Sequence, residues 1–388
     1  MTAKAIKTES FTLTISPKYV PNWGKWEAFR ELMQNVIDRQ HEFEAAEIIF
    51  KYFPSQQRMV IGNKFSVLKR NTLIFGETTK ADDENAIGQY GEGYKLALVV
   101  LTRMGIRVRI RTLGEIWAPS IKFSEQFQTD LLFIEVMKGL PNDDVLFELD
   151  GVTLEDFTTF GKKCLAVTPP IQVLHTSRGD ILLDENLRGQ VFIEGLYVCT
   201  INEKDYRLRY GYNMKARFLN LDRDRQKLES WSLLWELGIM YNDLDSTYAN
   251  MIYNLQKEKW DDCKQYETHL RNKTNSLYQA LCSMHHDEFF AKYGKQAIPV
   301  ETEAEAQFIK EKYNDLVPIV VQKTTEYCYI TDSAAYKTSS KTQIPKKETP
   351  YSLTQKNIKS LLTGKEFKEA RDIMLKEFLP LTREWRFR

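Results

Sequence analysis

The chain has 388 residues, 43% hydrophobic and 28% charged, as in a globular protein of two or three domains. The formal net charge of +1 gives no argument for binding nucleic acid or an anionic membrane, and no apolar run is long enough to span a bilayer. Five scattered cysteines without a C-x-x-C pair, five dispersed histidines and an N-terminus without an apolar signal core argue against disulfides, zinc and export, so we expect a cytoplasmic protein.

The first part of the chain alternates short strands with one strongly patterned helix. Residues 11–16 (FTLTIS) alternate apolar and polar side chains and predict a strand. Residues 26–40 (WEAFRELMQNVIDRQ) have an apolar stripe at helical spacing, and Glu31, Asn35 and Asp38 fall on another face at i, i+4 and i+7. Such a polar row suits a water, a metal and a polar ligand, and an ordinary solvated helix face has the same pattern.

Two further strands and a glycine-rich turn follow this helix. Residues 46–53 and 59–61 predict strands, and Gly62-Asn63-Lys64 predicts a sharp turn. After residues 72–75, a polar loop without periodicity leads to Gly88-Gln-Tyr-Gly91-Glu-Gly93, which opens an apolar helix from Tyr94 to about Met104. A glycine-rich turn at a helix N-terminus lets backbone N–H groups approach phosphate, and Lys95 in the first helical turn would add positive charge.

A series of strands completes the first 155 residues. The alternation in residues 106–111 (IRVRIR) predicts a strand with an arginine face made by Arg107, Arg109 and Arg111. Because no aromatic residues interleave with these arginines, a solvated face is favoured over a nucleic-acid surface. Strands near residues 116 and 121, and at 131–136 and 145–149, give an α+β sandwich with a largely antiparallel or mixed sheet.

The remainder predicts a second α/β unit, a helical block and a small third unit. A helix is expected at residues 152–165, and Pro169-Pro170 marks a boundary. The later expected elements are strands at 171–175, 181–183, 190–198 and 207–210, a helical block from 228 to about 293, a helix at 302–313, a strand at 317–321, a linker at 337–352 and an amphipathic terminal helix at 358–378.

The order of these motifs resembles the GHKL ATPase superfamily, which includes gyrase B, Hsp90, histidine kinases and MutL and has the Bergerat ATP-binding fold. Its E-x-x-x-N-x-x-D motif matches Glu31, Asn35 and Asp38, and its G-x-x-G-x-G motif matches Gly88, Gly91 and Gly93. The segment IGQYGEGYK is most similar to the Hsp90-like and MORC-like branches. The resemblance implies an ATP-binding domain at residues 1–160 and an S5-like transducer at 165–228. Beyond it, the sequence pattern alone predicts a helical region at 229–295, a small α/β unit at 296–335, a linker at 336–354 and a C-terminal helix at 355–388.

The resemblance also implies a role for each matched residue. Glu31 would be the general base that polarises the attacking water, and Asn35 would bind Mg²⁺. Asp38 would lie near the base and ribose. The remaining nucleotide-binding residues implied for ATP are Asn63, Thr79 in the lid, Gly88, Gly91, Gly93, Lys95 and, as basic residues sent to the γ-phosphate, Arg223 and Arg225 or Lys215.

The sequence departs from the family pattern at the base end of the expected site. The family's D-x-G-x-G motif supplies an aspartate that reads adenine, whereas this chain has Gly62 or Asn63 at that place. A neutral acceptor makes a weaker hydrogen bond than a carboxylate. Asp143 or Asp144 stands where the family has a threonine.

Three functions stay open on these observations. The leading hypothesis is a Mg²⁺-dependent ATPase acting as an ATP-gated clamp or homodimer, whose lid would be residues 77–90. The second is a nucleotide-binding or scaffold protein without turnover. The third is a nucleic-acid transaction protein related to topoisomerase or mismatch-repair ATPases, motivated by the arginine face and a basic C-terminus.

Overall fold

A computed structural model of the chain describes residues 7–74, 93–219, 230–266, 275–322, 324–339 and 341. The chain divides into two compact units, one made of Met1–Leu244 with Asn254–Arg271 and the other of Asp245–Tyr253 with Asn272–Arg388. Both units contain helices and strands, so the fold is mixed α and β. The domain boundaries expected from the sequence stay predictions.

The first unit is built on a seven-stranded sheet in which every neighbouring pair is antiparallel. The predicted α+β class with a largely antiparallel sheet is therefore confirmed. The strands, in the spatial order β1-β6-β5-β4-β7-β3-β2, are β1 (Lys7–Leu13), β2 (Ile48–Phe53), β3 (Arg58–Asn63), β4 (Arg107–Thr112), β5 (Glu115–Ser124), β6 (Thr129–Lys138) and β7 (Val145–Asp150). The strands expected separately near residues 116 and 121 are one ten-residue strand, β5.

Three helices accompany the seven-stranded sheet: α1 (Lys25–Glu42), α2 (Gly93–Arg103) and α3 (Leu154–Lys162). Helix α1 buries its apolar stripe, including Leu32, Met33 and Val36, in the same core as α2 and the sheet. Helix α2 is buried at every position from Tyr94 to Leu101, as its nearly continuous apolar sequence requires. The interior position of α2 fixes its first residue beside α1.

The arginine face of β4 pairs with carboxylates on β7. Arg109 Nη2 lies 2.9 Å from Asp150 Oδ2, and Arg111 Nε lies 2.6 Å from Glu148 Oε1. Burial alone would raise the pKa of Asp150, but a hydrogen bond from Arg58 and the nearby arginine charges hold that pKa below its usual value. Two of the three arginines are thus neutralised within the sheet, which favours the solvated-face interpretation over a nucleic-acid surface.

A second, five-stranded sheet follows α3, in the order β11-β10-β12-β9-β8, with only β10 and β12 parallel. The single strand expected at 190–198 is wrong, because Glu194 and Gly195 have φ of 47° and 80° and form a tight hairpin. The strand expected at 207–210 is also wrong, since this segment is irregular. The strands are β8 (Val173–His175), β9 (Gly179–Leu182), β10 (Gln190–Ile193), β11 (Leu196–Thr200) and β12 (Gly211–Met214).

The described residues after β12 are mostly helical. Its helices are α4 (Ser230–Asn242), α5 (Ala249–Lys257), α6 (Ser276–Tyr293), α7 (Glu303–Lys312), α8 (Thr324–Asp332) and α9 (Ala334–Lys337). In the second unit, α7 connects two parallel strands, β13 (Ala297–Val300) and β14 (Val317–Val320), as a small β-α-β element. The expected C-terminal helix at 355–388 lies outside the described residues.

All five cysteines are free thiols. Within the described ranges, no helix combines the length and the apolar character needed to cross a membrane.

Candidate functional site

One face of α1 carries four polar side chains close together. At about 100° per residue, Glu31, Gln34, Asn35 and Asp38 fall within a sector of about 100°. Gln34 and Asp38 are 3% exposed, so this face is covered rather than solvated. Burying polar groups costs free energy unless they form hydrogen bonds, so a polar ligand bound at this face would offset part of that cost.

The carboxylate of Glu31 divides its two oxygens between a buried arginine and the start of α2. Oε1 accepts from Arg30 Nη2 at 3.0 Å, and the Arg30 guanidinium is 4% exposed and lies 5.6 Å from the centroid of the Trp23 ring. Oε2 faces Gly93, where a Cβ would lie only 2.3 Å away. Only a glycine at position 93 therefore lets α2 approach this carboxylate so closely.

The neighbouring amides leave acceptor atoms available. Asn35 Nδ2 donates to the Glu31 carbonyl at 2.6 Å, and its Oδ1 accepts no hydrogen bond from any residue the structure describes. Gln34 Oε1 is buried without a hydrogen-bond partner in the same described segments. Amide oxygens of this kind suit a hard cation or its coordinated water.

The base end of the expected site is committed to internal contacts. Asn63 Nδ2 donates to the carbonyls of Val36 and Ala46, each at 2.9 Å, and so ties β3 to α1. Only its Oδ1 is left to meet a ligand. Gly62 is explained by packing, since a Cβ there would lie 1.9 Å from the Val145 carbonyl oxygen on β7.

Lys95 is fully buried, although it belongs to the first turn of α2. Its ammonium group donates to the carbonyl of Ile74, the last described residue before the lid segment. The observed contact therefore ties α2 to Ile74, and a contact between Lys95 and phosphate stays a prediction.

The remaining predicted residues are Lys215 and five that lie outside the described ranges. Lys215 is described, and its Nζ donates to the Ser177 carbonyl at 3.1 Å. The predicted residues that lie outside the described ranges are Thr79, Gly88, Gly91, Arg223 and Arg225.

The turn after β3 contains a residue that the sequence reasoning did not single out. Phe65 has a φ of 49°, and its side chain is 59% exposed. Asp144, which stands where the family has a threonine, accepts a hydrogen bond from the Phe65 backbone N–H at 3.2 Å through Oδ1. The signal in the sequence was a large aromatic residue directly after the Gly-Asn-Lys turn. Gln34 and Arg30 were also missed, because each reads as an ordinary helix residue.

The N-terminal end of α1 contacts the second sheet through a lysine between two aromatic rings. Lys163 Nζ lies 4.7 Å from the centroid of Trp26 and 5.0 Å from that of Tyr197 on β11. Burial lowers the pKa of Lys163, against a smaller opposing effect of Glu27. Cation–π contacts of this kind strengthen when the charge is desolvated.

The described part of the chain contains no group of three or more His, Cys, Asp or Glu side chains able to hold a metal by themselves. Mg²⁺ usually keeps several waters and takes one or two protein ligands together with phosphate oxygens. The free Asn35 Oδ1 beside the helix N-terminus fits that mode of binding.

Comparisons with known proteins give matches of low sequence identity. No family model matches the chain. An uncharacterized protein of Mycoplasma pneumoniae is 24% identical over 229 residues, which cover 54% of this chain and 91% of that protein.

Two solved structures are similar to parts of the fold. The ATPase region of Saccharomyces cerevisiae topoisomerase II bound to ICRF-187 is 12% identical with a TM-score of 0.26, covering 45% of this chain and 62% of that chain. The ATPase and transducer domains of DNA topoisomerase II from Balamuthia mandrillaris are 14% identical with a TM-score of 0.23, covering 34% and 38% respectively. This chain thus spans less than two thirds of either structure. TM-scores this low do not establish a common fold, so the function has to be argued from the side chains of the site.

Proposed function

We propose that the protein is a Mg²⁺-dependent ATPase of the GHKL type. The observation that carries this proposal is the approach of Glu31 to Gly93. It brings the polar face of α1 against Gly93, the first described residue of α2, and the dipole of a helix favours an anion at that end. The carboxylate pairs with Arg30 through one oxygen and faces this helix end with the other, which is the arrangement that a base acting on a water beside phosphate needs.

The two oxygens of Glu31 support a role as general base. Arg30 donates to Oε1 and holds the carboxylate in place, whereas Oε2 accepts no hydrogen bond from any described residue. Oε2 is thus able to accept a proton from a water held between α1 and the first turn of α2. Catalysis would consist of positioning and of electrostatic stabilisation by fixed donors.

Asn35 and Gln34 would hold the polar components beside this water. Mg²⁺, when bound, would offset negative charge on the phosphates. Asn35 Oδ1 is the proposed protein ligand. The buried Gln34 Oε1 is suited to accept from a coordinated water, which would remove the cost of its unsatisfied burial.

The wider function is proposed from the family resemblance. ATP would close the lid of residues 77–90, with Thr79, Gly88 and Gly91 at the phosphates and Asp38 near the base and ribose. Closure would bring two copies together as a clamp or homodimer in the cytoplasm. Arg223 and Arg225 would reach the γ-phosphate from the transducer.

Hydrolysis by purified protein tests this proposal. Glu31→Gln keeps the size of the side chain and removes the base, so Mg²⁺-dependent phosphate release should fall by a factor of about 10² or more, while ATP binding remains. Glu44→Gln is the matched control, since Glu44 is exposed just beyond the end of α1. This variant should hydrolyse ATP as fast as the wild type does. Equal turnover in the wild type and Glu31→Gln would exclude Glu31 as the base.

A nucleotide-binding protein without turnover is the second candidate. It is favoured by Asn63, a neutral residue where the family has an aspartate that binds adenine. Both side-chain N–H groups of Asn63 donate to main-chain carbonyls inside the fold. Calorimetry with ATP and a non-hydrolysable analogue separates the two candidates. Equal, saturable binding of both without phosphate release supports the second.

A further inference from the structure

Phe65 holds a backbone conformation that disfavours its own side chain. Its φ of 49° lies in the left-handed region, which residues other than glycine, asparagine and aspartate rarely adopt. A bulky aromatic residue is among the least expected there. Because 59% of the residue is exposed, core packing does not compensate for the strain.

Hydrogen bonds on both sides fix this conformation. Lys64 N donates to the Glu47 carbonyl at 3.0 Å, and Ser66 N donates to the Asp143 carbonyl at 2.8 Å. Together with the bond from Phe65 N to Asp144 Oδ1, they determine three consecutive backbone N–H groups. A strained backbone conformation that its surroundings hold in place is a feature that clusters at ligand sites, and here it carries an exposed aromatic ring.

The turn lies beside the part of α1 that carries Asp38. Arg39 Nε donates to Ser66 Oγ at 3.2 Å, and Asn63 bonds the Val36 carbonyl. Phe65 is therefore attached next to the Val36–Arg39 turn, farther along α1 than Glu31. This is the base end of the proposed nucleotide site.

We propose that Phe65 is a stacking platform for the nucleobase and that the site accepts purine nucleotides with little distinction between adenine and guanine. The inference rests on the proposed function and adds its base specificity. The amide of Asn63 spends its donors on internal carbonyls, so hydrogen-bond reading is weak at this end. Stacking on an aromatic face needs no particular donor or acceptor pattern, and it favours the larger purine rings.

Opposite effects on stability and binding test this inference. Phe65→Gly relieves the backbone strain, so the melting temperature should rise or stay unchanged. The same change removes the platform, so ATP should bind about tenfold more weakly, and about as weakly as ribose 5-triphosphate, which has no base. Phe65→Asn, which tolerates the left-handed backbone without an aromatic face, should show the same loss, and Phe65→Trp should keep wild-type affinity.

Gln57→Gly provides the matched control. Gln57 has a φ of 46° and is exposed at the opposite end of the same strand, β3. It should share the effect on melting temperature without any change in ATP affinity. This control separates the relief of strain from the loss of stacking.

The measurements are calorimetric titrations with ATP, GTP, UTP and ribose 5-triphosphate, together with thermal unfolding. ATP and GTP should bind within about threefold of each other, and UTP should bind more weakly. Wild-type ATP affinity in both Phe65→Gly and Phe65→Asn would overturn the platform and leave the ATPase proposal standing. A strong preference for ATP over GTP would overturn the claimed breadth. Failure of the wild type to bind any of the four ligands would overturn the proposed function itself.

Discussion

Gly93→Ala tests the central contact of the site with the smallest change that the chain allows. The added methyl carbon would lie 2.3 Å from Glu31 Oε2 and 3.3 Å from its Cδ. Non-bonded carbon atoms pack at about 3.5–4.0 Å, so the carboxylate has to retreat by about 1 Å. Because Oε1 is held by Arg30, the retreat also strains that ion pair.

The expected cost falls on activity rather than on folding. Misplacing a catalytic group by about 1 Å reduces the rate by a factor of about 10², which is close to 2.7 kcal/mol of barrier. Alanine is favoured over glycine within a helix by about 0.5–1 kcal/mol, and this gain offsets part of the steric cost. The free energy of unfolding should therefore change by about 1 kcal/mol or less, while turnover nearly disappears.

The assay is steady-state phosphate release with Mg²⁺ and ATP, combined with urea unfolding of four proteins. These are the wild type, Gly93→Ala, Glu31→Ala and the double variant. In the Glu31→Ala background the two close carboxyl contacts are gone and the Cβ at position 31 stays at an ordinary 3.6 Å, so the methyl group should stabilise the fold. The coupling free energy between the two positions should be about 0.5–3 kcal/mol. Wild-type turnover in Gly93→Ala, or no coupling between the two substitutions, would refute the assignment of this contact to the site.

Three further predictions follow from buried charges and amides. Asn63→Asp should lower the free energy of unfolding by about 3–5 kcal/mol in urea, because an unpaired carboxylate would face two main-chain carbonyls; a neutral effect would contradict the internal role of the amide. Asp150→Asn should cost about 1.5–3 kcal/mol at pH 7, since the lowered pKa of Asp150 means that its pairing with Arg58 stabilises the fold above the unfolded pKa and is lost as pH falls through the folded pKa. Urea unfolding at pH 7 and pH 3 checks this, and a cost unchanged at pH 3 would count against it. Arg30→Met should reduce ATP turnover by about tenfold or more, because Glu31 loses the donor that orients it, and unaltered turnover would show that Arg30 has no positioning role.

Periodicity predicted the elements that hold the site. The helix expected at 26–40 is observed at Lys25–Glu42, and the helix expected from Tyr94 begins at Gly93. The stripe on α1 has a helical period, whereas α2 is a nearly continuous apolar run whose length and preceding glycines favour a helix. Spacing on α1 also placed Glu31 and Asn35 on one face, since neighbours at i and i+4 lie together on any helix.

The contacts between distant segments could not be predicted in the same way. Whether Glu31 meets Gly93 depends on how α1 and α2 pack, and no spacing along the chain encodes it. The identity of Asn63 does not tell which way its amide points. In Gln190–Val198 the apolar run hides the Glu194-Gly195 turn, because a hairpin needs only two residues with positive φ.

Helix α1 joins the parts of the first unit that ATP would have to coordinate. Its N-terminal end is held by Trp26 against Lys163 and the second sheet, and Trp26 lies five residues before Glu31, about 7.5 Å along the helix axis. Its other end is tied to β3 by Asn63. A packed helix moves as a rigid body, so a shift of the second sheet at Lys163 would displace the carboxylate of Glu31 relative to Gly93. The closeness of Oε2 to Gly93 leaves little tolerance for such a shift, so the contact proposed to support hydrolysis would be sensitive to the position of the second sheet.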